Sequence, residues 1–125
     1  FGKGSYGQVY VARKEDSMAL FALKMMPIVH ASTARGKHHL KVERQVLRHA
    51  TESQCRFLCS LRYAFVAGPW LVLALPLVTG GTLQLHLDER ALHGGLPLNE
   101  IRWIAAQLTL ALDAIHCIGY IHRDV

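Results

Sequence analysis

Three glycines, Gly2, Gly4 and Gly7, stand directly ahead of a strand-forming run, Gln8-Val9-Tyr10-Val11-Ala12-Arg13, and that order restricts the folds open to this chain. The spacing is that of G-x-G-x-x-G-x-V, in which backbone lacking Cβ atoms can approach phosphate oxygens closely. Glycine spacing alone is a weak signal, but its surroundings exclude two rivals. A dinucleotide-binding unit needs a strand before these glycines and a helix after them, whereas here a strand follows. A P-loop needs Lys and then Ser or Thr after the last glycine, and Gln8 occupies the lysine's place.

The rest of the chain reads as one ordered series. Residues 14–19 are a polar turn, and 20–26 are a second apolar strand ended by Pro27. Residues 37–51 turn helical, with Leu40, Glu43 and Leu47 on one face. Residues 58–66 and 70–75, split by Ala67-Gly68-Pro69, form an antiparallel pair. Thr79-Gly80-Gly81 breaks the strand and marks a lobe boundary, and 83–91 form a short helix. Pro97 and Asn99 precede a long helix to about His116. Its stripe of Ile101, Ile104, Leu108, Leu112 and Ile115, with Trp103 and Leu110 off the stripe, makes it apolar nearly all round, so it is expected to be buried by partners outside this chain.

Composition sets further bounds. A net charge of +5 favours phosphate-bearing ligands, but the basic residues are scattered, and Lys37, His38, His39 and Lys41 read as a solvated helix face, with no aromatic interleaving to suggest nucleic acid. Three cysteines without repeating spacing fit a reducing, intracellular compartment, with Cys55 and Cys59 as core thiols. The histidines lack metal-ligand spacing, so no metal residue is expected here. The uncharged stretch 64–78 is shorter than a membrane span and is interrupted by Gly68, Pro69 and Pro76, so no transmembrane segment is expected.

The chemistry-bearing residues fall in a fixed order. Phe21-Ala22-Leu23-Lys24 puts a lysine in the second strand; taken alone it is an exposed strand lysine, but Glu43 on the inward face of the next helix supplies it with a carboxylate. After the long helix comes His122-Arg123-Asp124-Val125. Glycine loop, A-x-K, helix Glu, glycine break, long helix and H-R-D in this order resemble the eukaryotic protein kinase catalytic domain over essentially all 125 residues. Val42-Glu43-Arg44-Gln45-Val46-Leu47, Val78-Thr79-Gly80-Gly81-Thr82-Leu83 and Ala105-Ala106-Gln107-Leu108 resemble most closely the AGC group of Ser/Thr kinases, although many of that group carry Tyr where His122 stands.

That resemblance implies an α+β fold: a small antiparallel-sheet N-lobe with one main helix and a hinge (residues 1–78), then the first helices of a mostly helical C-lobe (residues 79–125), truncated at both ends. It implies ATP as phosphoryl donor, covered by the loop Gly2, Lys3, Gly4, Ser5, Tyr6 and Gly7 with Val9. Lys24, held by Glu43, would contact the α- and β-phosphates. Ala22 and Leu83 would flank the adenine, Leu75 would be the gatekeeper, and the Pro76 carbonyl and Val78 amide would make the hinge contacts. Asp124 would orient the acceptor hydroxyl of a protein substrate and take its proton. Mg²⁺ is implied as well, its ligands lying outside this fragment, which is itself expected to be inactive. The alternative is a pseudokinase or truncated nucleotide-binding scaffold; a small-molecule kinase fits the hinge and Gly80-Gly81 stretch less well.

Overall fold

The computed structural model describes residues 2–4, 7–92 and 94–123. The chain divides into two compact units, Phe1–Leu77 and Val78–Val125. The first holds strands β1 (Gly2–Gly4), β2 (Gly7–Arg13), β3 (Leu20–Pro27), β4 (Tyr63–Ala67) and β5 (Trp70–Pro76) and helix α1 (Ala34–Glu52); the second holds helices α2 (Leu83–Ala91) and α3 (Leu98–Cys117).

The five strands form one antiparallel sheet in the order β1-β2-β3-β5-β4. Its core lies where the sequence is most continuously apolar. β5 is flanked on both sides, and Val72, Leu73 and Ala74 keep 2%, 0% and 2% of their surface, as a strand covered on both faces requires. Proline closes both β3, at Pro27, and β5, at Pro76, where its missing N–H costs no ladder bond. Gly68, at φ +55°, turns β4 into β5 in a conformation that favours glycine, and the Pro69 carbonyl beside it accepts from the Ile28 amide at 2.8 Å.

Two expectations for the first unit need correction. The paired strand does not start at residue 58: β4 begins at Tyr63, because the Leu61 amide donates to the Thr51 hydroxyl (2.7 Å) instead of entering a ladder. Nor are Cys55 and Cys59 core thiols; Cys55 is half-buried and Cys59 exposed. The segment carrying them loops between α1 and β4, outside the sheet's core. The glycines also contribute a strand of their own, β1, paired to β2 with Gly4 opposite Gly7.

In the second unit, Thr82 caps α2, its hydroxyl accepting from the Leu85 amide at 3.2 Å. α3 starts at Leu98 behind Pro97, so Asn99 lies inside the first turn and does not cap it. Arg90 and His86 of α2 each reach Glu100 of α3 at 3.8 Å. Among the described residues Ile115 alone in α3 is fully buried, whereas Trp103 is 68% exposed, because α2 and the short segment after α3 offer too little apolar surface to enclose it. No helix of the described residues is long and apolar enough to cross a membrane.

Candidate active site

The site is built on β3 and α1. Lys24 sits mid-strand, with Val9 of β2 opposite on one side and Leu73 of β5 on the other. Its ammonium donates to Glu43 Oε1 at 2.5 Å, across 19 residues of sequence. The two side chains keep 28% and 33% of their exposure. Partial shielding strengthens such a pair over one in open solvent, and a charge-assisted bond at this length fixes the ammonium's position. An exposed strand lysine needs no such partner; Lys24 is half-buried and paired.

Glu43 reaches the sheet because α1 is secured at both ends. At its start the Thr33 hydroxyl accepts from the Gly36 amide at 3.0 Å. Gly36 lies so close to the preceding 3₁₀ turn, Ile28–Ser32, that a Cβ there would stand 1.7 Å from the His30 carbonyl oxygen. At its end, Ala50 is buried to 1% and the Thr51 hydroxyl bonds the backbone of Leu61. Along its flank Lys37, His38, Lys41 and Arg44 face solvent, while Arg48 is paired to Glu52 at 2.7 Å.

Strand register gathers several further residues on the Lys24 face. Residues directly opposite in an antiparallel ladder share a face, and every second residue along a strand returns to it. Lys24 and Ala22 therefore share a face with Val9 and Val11 of β2, Leu73 and Leu75 of β5, and Gly2 of β1. Gly4 and Gly7, opposite one another, fall in the same set. Two glycines of β1, the glycine that opens β2, a lysine with its carboxylate, and one small and four aliphatic residues make an apolar floor with one fixed cation, bordered by bare backbone.

Gly7 carries a structural requirement of its own. A Cβ there would stand 2.4 Å from the Met25 carbonyl oxygen and 3.2 Å from Met26 Cγ, so the close approach of β2 to β3 already demands glycine. Of the remaining candidates, Lys3 lies in β1 opposite Gln8, and Pro76 ends β5 in the first unit. Val78, 69% exposed, and Leu83, 46% exposed, belong to the second unit. Ser5, Tyr6 and Asp124 lie outside the described residues. Arg123, immediately before Asp124, holds φ +69°, a left-handed backbone uncommon outside glycine. Among the described residues there is no group of three His, Cys, Asp or Glu side chains able to hold a metal ion.

A second concavity, of about 620 Å³ and open to solvent, lies between Leu20, Phe21, Arg62, Tyr63 and Pro76. Phe21 and Pro76 are opposite one another and out of step with Ala22 and Leu75, which places them on the other face of the sheet. There the Phe21 and Tyr63 rings meet edge to face at 5.6 Å, and the Lys14 ammonium stands 5.4 Å from the Tyr63 ring centre.

Comparison with known proteins agrees with this geometry. The family model described as protein kinase domain matches residues 1–125. The chain belongs to the protein kinase domain family. Over 124 residues, 99% of this kinase-domain chain, it is 35% identical to the serine/threonine-protein kinase sid2 and 33% identical to the serine/threonine-protein kinase ppk35, both of Schizosaccharomyces pombe. It is 33% identical over the same share to the serine/threonine-protein kinase YPK2/YKR2 of Saccharomyces cerevisiae. Of these, sid2 and YPK2/YKR2 are AGC-type kinases, the group its motifs resemble. The chain spans 19%, 19% and 17% of the lengths of sid2, ppk35 and YPK2/YKR2. Its sheet with one main helix, followed by two further helices, is the α+β architecture the resemblance implied. The family uses ATP and a divalent metal.

Three structural residues behind the site escaped the sequence reading. Thr33 was legible, a Thr ahead of a helical run. Gly36 and Thr51 were not, because what each one touches is fixed by tertiary approach and not by local pattern.

Proposed function

We propose that the protein carrying this chain is a serine/threonine kinase, which transfers the γ-phosphoryl group of ATP to hydroxyls of protein substrates. The observation that carries the reading is the Lys24–Glu43 bond of 2.5 Å on the sheet face shared with Gly2, Gly4 and Gly7. On this reading the glycine backbone covers the triphosphate, and Lys24, aimed by Glu43, grips the α- and β-phosphates. Val9 and Ala22 lie against the adenine with Leu75 behind it, the Pro76 carbonyl and Val78 amide take its polar edge, and Leu83 closes the opposite side. Proline at 76 is compatible, since only its carbonyl is used.

Asp124 orients the acceptor hydroxyl and receives its proton as the new O–P bond forms and the bond to the β-phosphate oxygen breaks, so positioning and charge stabilisation supply most of the rate. Mg²⁺ is the divalent ion we assign to the reaction. The described residues do not furnish a site for it. Dependence on ATP and three free cysteines among the described residues support an intracellular, cytoplasmic setting.

The test is incubation of the full-length protein with labelled ATP, Mg²⁺ and a mixed Ser, Thr and Tyr peptide pool, followed by phosphoamino-acid analysis. Phosphoserine and phosphothreonine are expected, and an Asp124→Asn variant should abolish them. Nucleotide binding without any transfer would instead favour a pseudokinase scaffold, and labelled small metabolites in place of peptide would favour a small-molecule kinase.

A further inference from the structure

Thr51 closes a ring of contacts that begins and ends at the Lys24–Glu43 pair. The Leu61 amide donates to Thr51 Oγ1 at 2.7 Å. The single hydroxyl proton has two acceptors in reach, the Leu47 carbonyl at 2.9 Å and the Leu61 carbonyl at 3.2 Å. The next residue, Arg62, donates its amide to the Ala74 carbonyl at 2.9 Å. Ala74 adjoins Leu73, the β5 residue directly opposite Lys24. Thus Lys24 is linked through β5, Arg62, Leu61 and Thr51 to the end of α1, and along α1 back to Glu43.

We infer that Thr51 is a positioning residue for that pair, setting how far along its own axis α1 docks on the sheet. The inference rests on the reading that the pair grips nucleotide. Glu43 lies eight residues before Thr51, about 12 Å along a rigid helix, so a slip at Thr51 is transmitted to Glu43 undiminished. The Lys24–Glu43 bond tolerates little of it, because a hydrogen bond stretched beyond about 3.5 Å is lost. The buried Ala50 beside Thr51 packs this end of the helix but has no polar group to fix its register. The Thr51 hydroxyl is a group at this end that joins α1 to the backbone leading into the sheet. Replacing it by Val keeps the branched shape and leaves the half-buried Leu61 amide without its acceptor.

The experiment is a double-mutant cycle in the full-length protein with Thr51→Val, Glu43→Gln and the double variant, plus Thr51→Ser, read by the Kd of a fluorescent ATP analogue and by the thermal midpoint without nucleotide. Thr51→Val is expected to weaken nucleotide about fivefold or more, as loss of one bond with a stranded amide implies. Thr51→Ser should stay within about twofold, since it retains the hydroxyl. In the Glu43→Gln background Thr51→Val should cost nothing further. A lowered midpoint with unchanged Kd, or the same fold loss in both backgrounds, overturns the inference. Should the wild-type protein bind no nucleotide, the functional reading fails by itself, and the midpoints alone then decide: non-additive shifts for Thr51→Val and Glu43→Gln support the positioning role, additive shifts overturn it.

Discussion

Gly7→Ala separates two reasons for a glycine that sequence alone cannot separate. A Cβ there would meet the Met25 carbonyl oxygen at 2.4 Å, well inside contact distance, and Met26 Cγ at 3.2 Å. The nearer obstacle is backbone, so no rotamer change relieves it; β2 must move away from β3 by several tenths of an ångström beside the Gln8–Met25 rung. Alanine recovers about 0.4–1 kcal/mol by restricting the unfolded chain. Forcing strands apart in a packed region costs about 1–3 kcal/mol, occasionally more. Mid-range values leave a net loss of about 1–2 kcal/mol, or a fall in midpoint of about 2–8 °C for a cooperative unit of domain size. Thermal unfolding of the full-length protein without nucleotide reads it. An unchanged midpoint with weakened ATP binding would refute the packing argument and leave phosphate approach as the glycine's sole reason.

Gly36→Ala should be worse than Gly7→Ala, with loss of soluble protein or a midpoint drop beyond that of Gly7→Ala, because its Cβ would stand 1.7 Å from the His30 carbonyl oxygen; circular dichroism melts of the two variants side by side check the order. Although Cys59 is exposed as a residue, partial desolvation of its thiol raises it above its ordinary value. Its thiolate fraction at neutral pH is therefore below that of a free thiol, and alkylation followed by mass spectrometry should show a slower rate with its midpoint at higher pH. Hydrogen bonding to Lys14 holds the Asp16 carboxyl below its usual range. Such a group contributes stability that is present above its unfolded value and lost as pH falls through the folded one, so Asp16→Asn should flatten that acid-side slope slightly and leave stability at neutral pH nearly unchanged, as for other exposed pairs.

The parts of the fold written in local pattern were legible in advance. The continuous apolar run of β5, the helical spacing of Leu40, Glu43 and Leu47, and the Thr-Gly-Gly break before α2 each carry their own signal, and the elements appear where those signals place them. What escaped depends on which atoms meet in space. The Leu61 amide leaves the strand pattern for a hydroxyl ten residues earlier, shortening β4, and no periodicity announces that. Cys59 looked like a core residue by type, yet its segment runs outside the sheet. The apolar circumference of α3 was legible as composition, and its exposure follows because α2 does not supply the surfaces that would enclose it. For the site, the pairing of Lys24 with Glu43 was inferable because each sits on a regular element whose inward face is periodic. The common face shared by Gly2, Val9, Ala22 and Leu75 needed the register of four strands.

The central claim is that the Lys24–Glu43 pair holds a nucleotide as one unit. Its most direct test is ATP binding by calorimetry to the full-length wild-type protein, Lys24→Met, Glu43→Gln and the double variant. The account predicts binding by wild type, a loss of about tenfold or more in each single variant, as removal of a charge-assisted bond implies, and little further loss in the double variant. Equal affinity in all four proteins, or losses in the two single variants that multiply in the double, would contradict it.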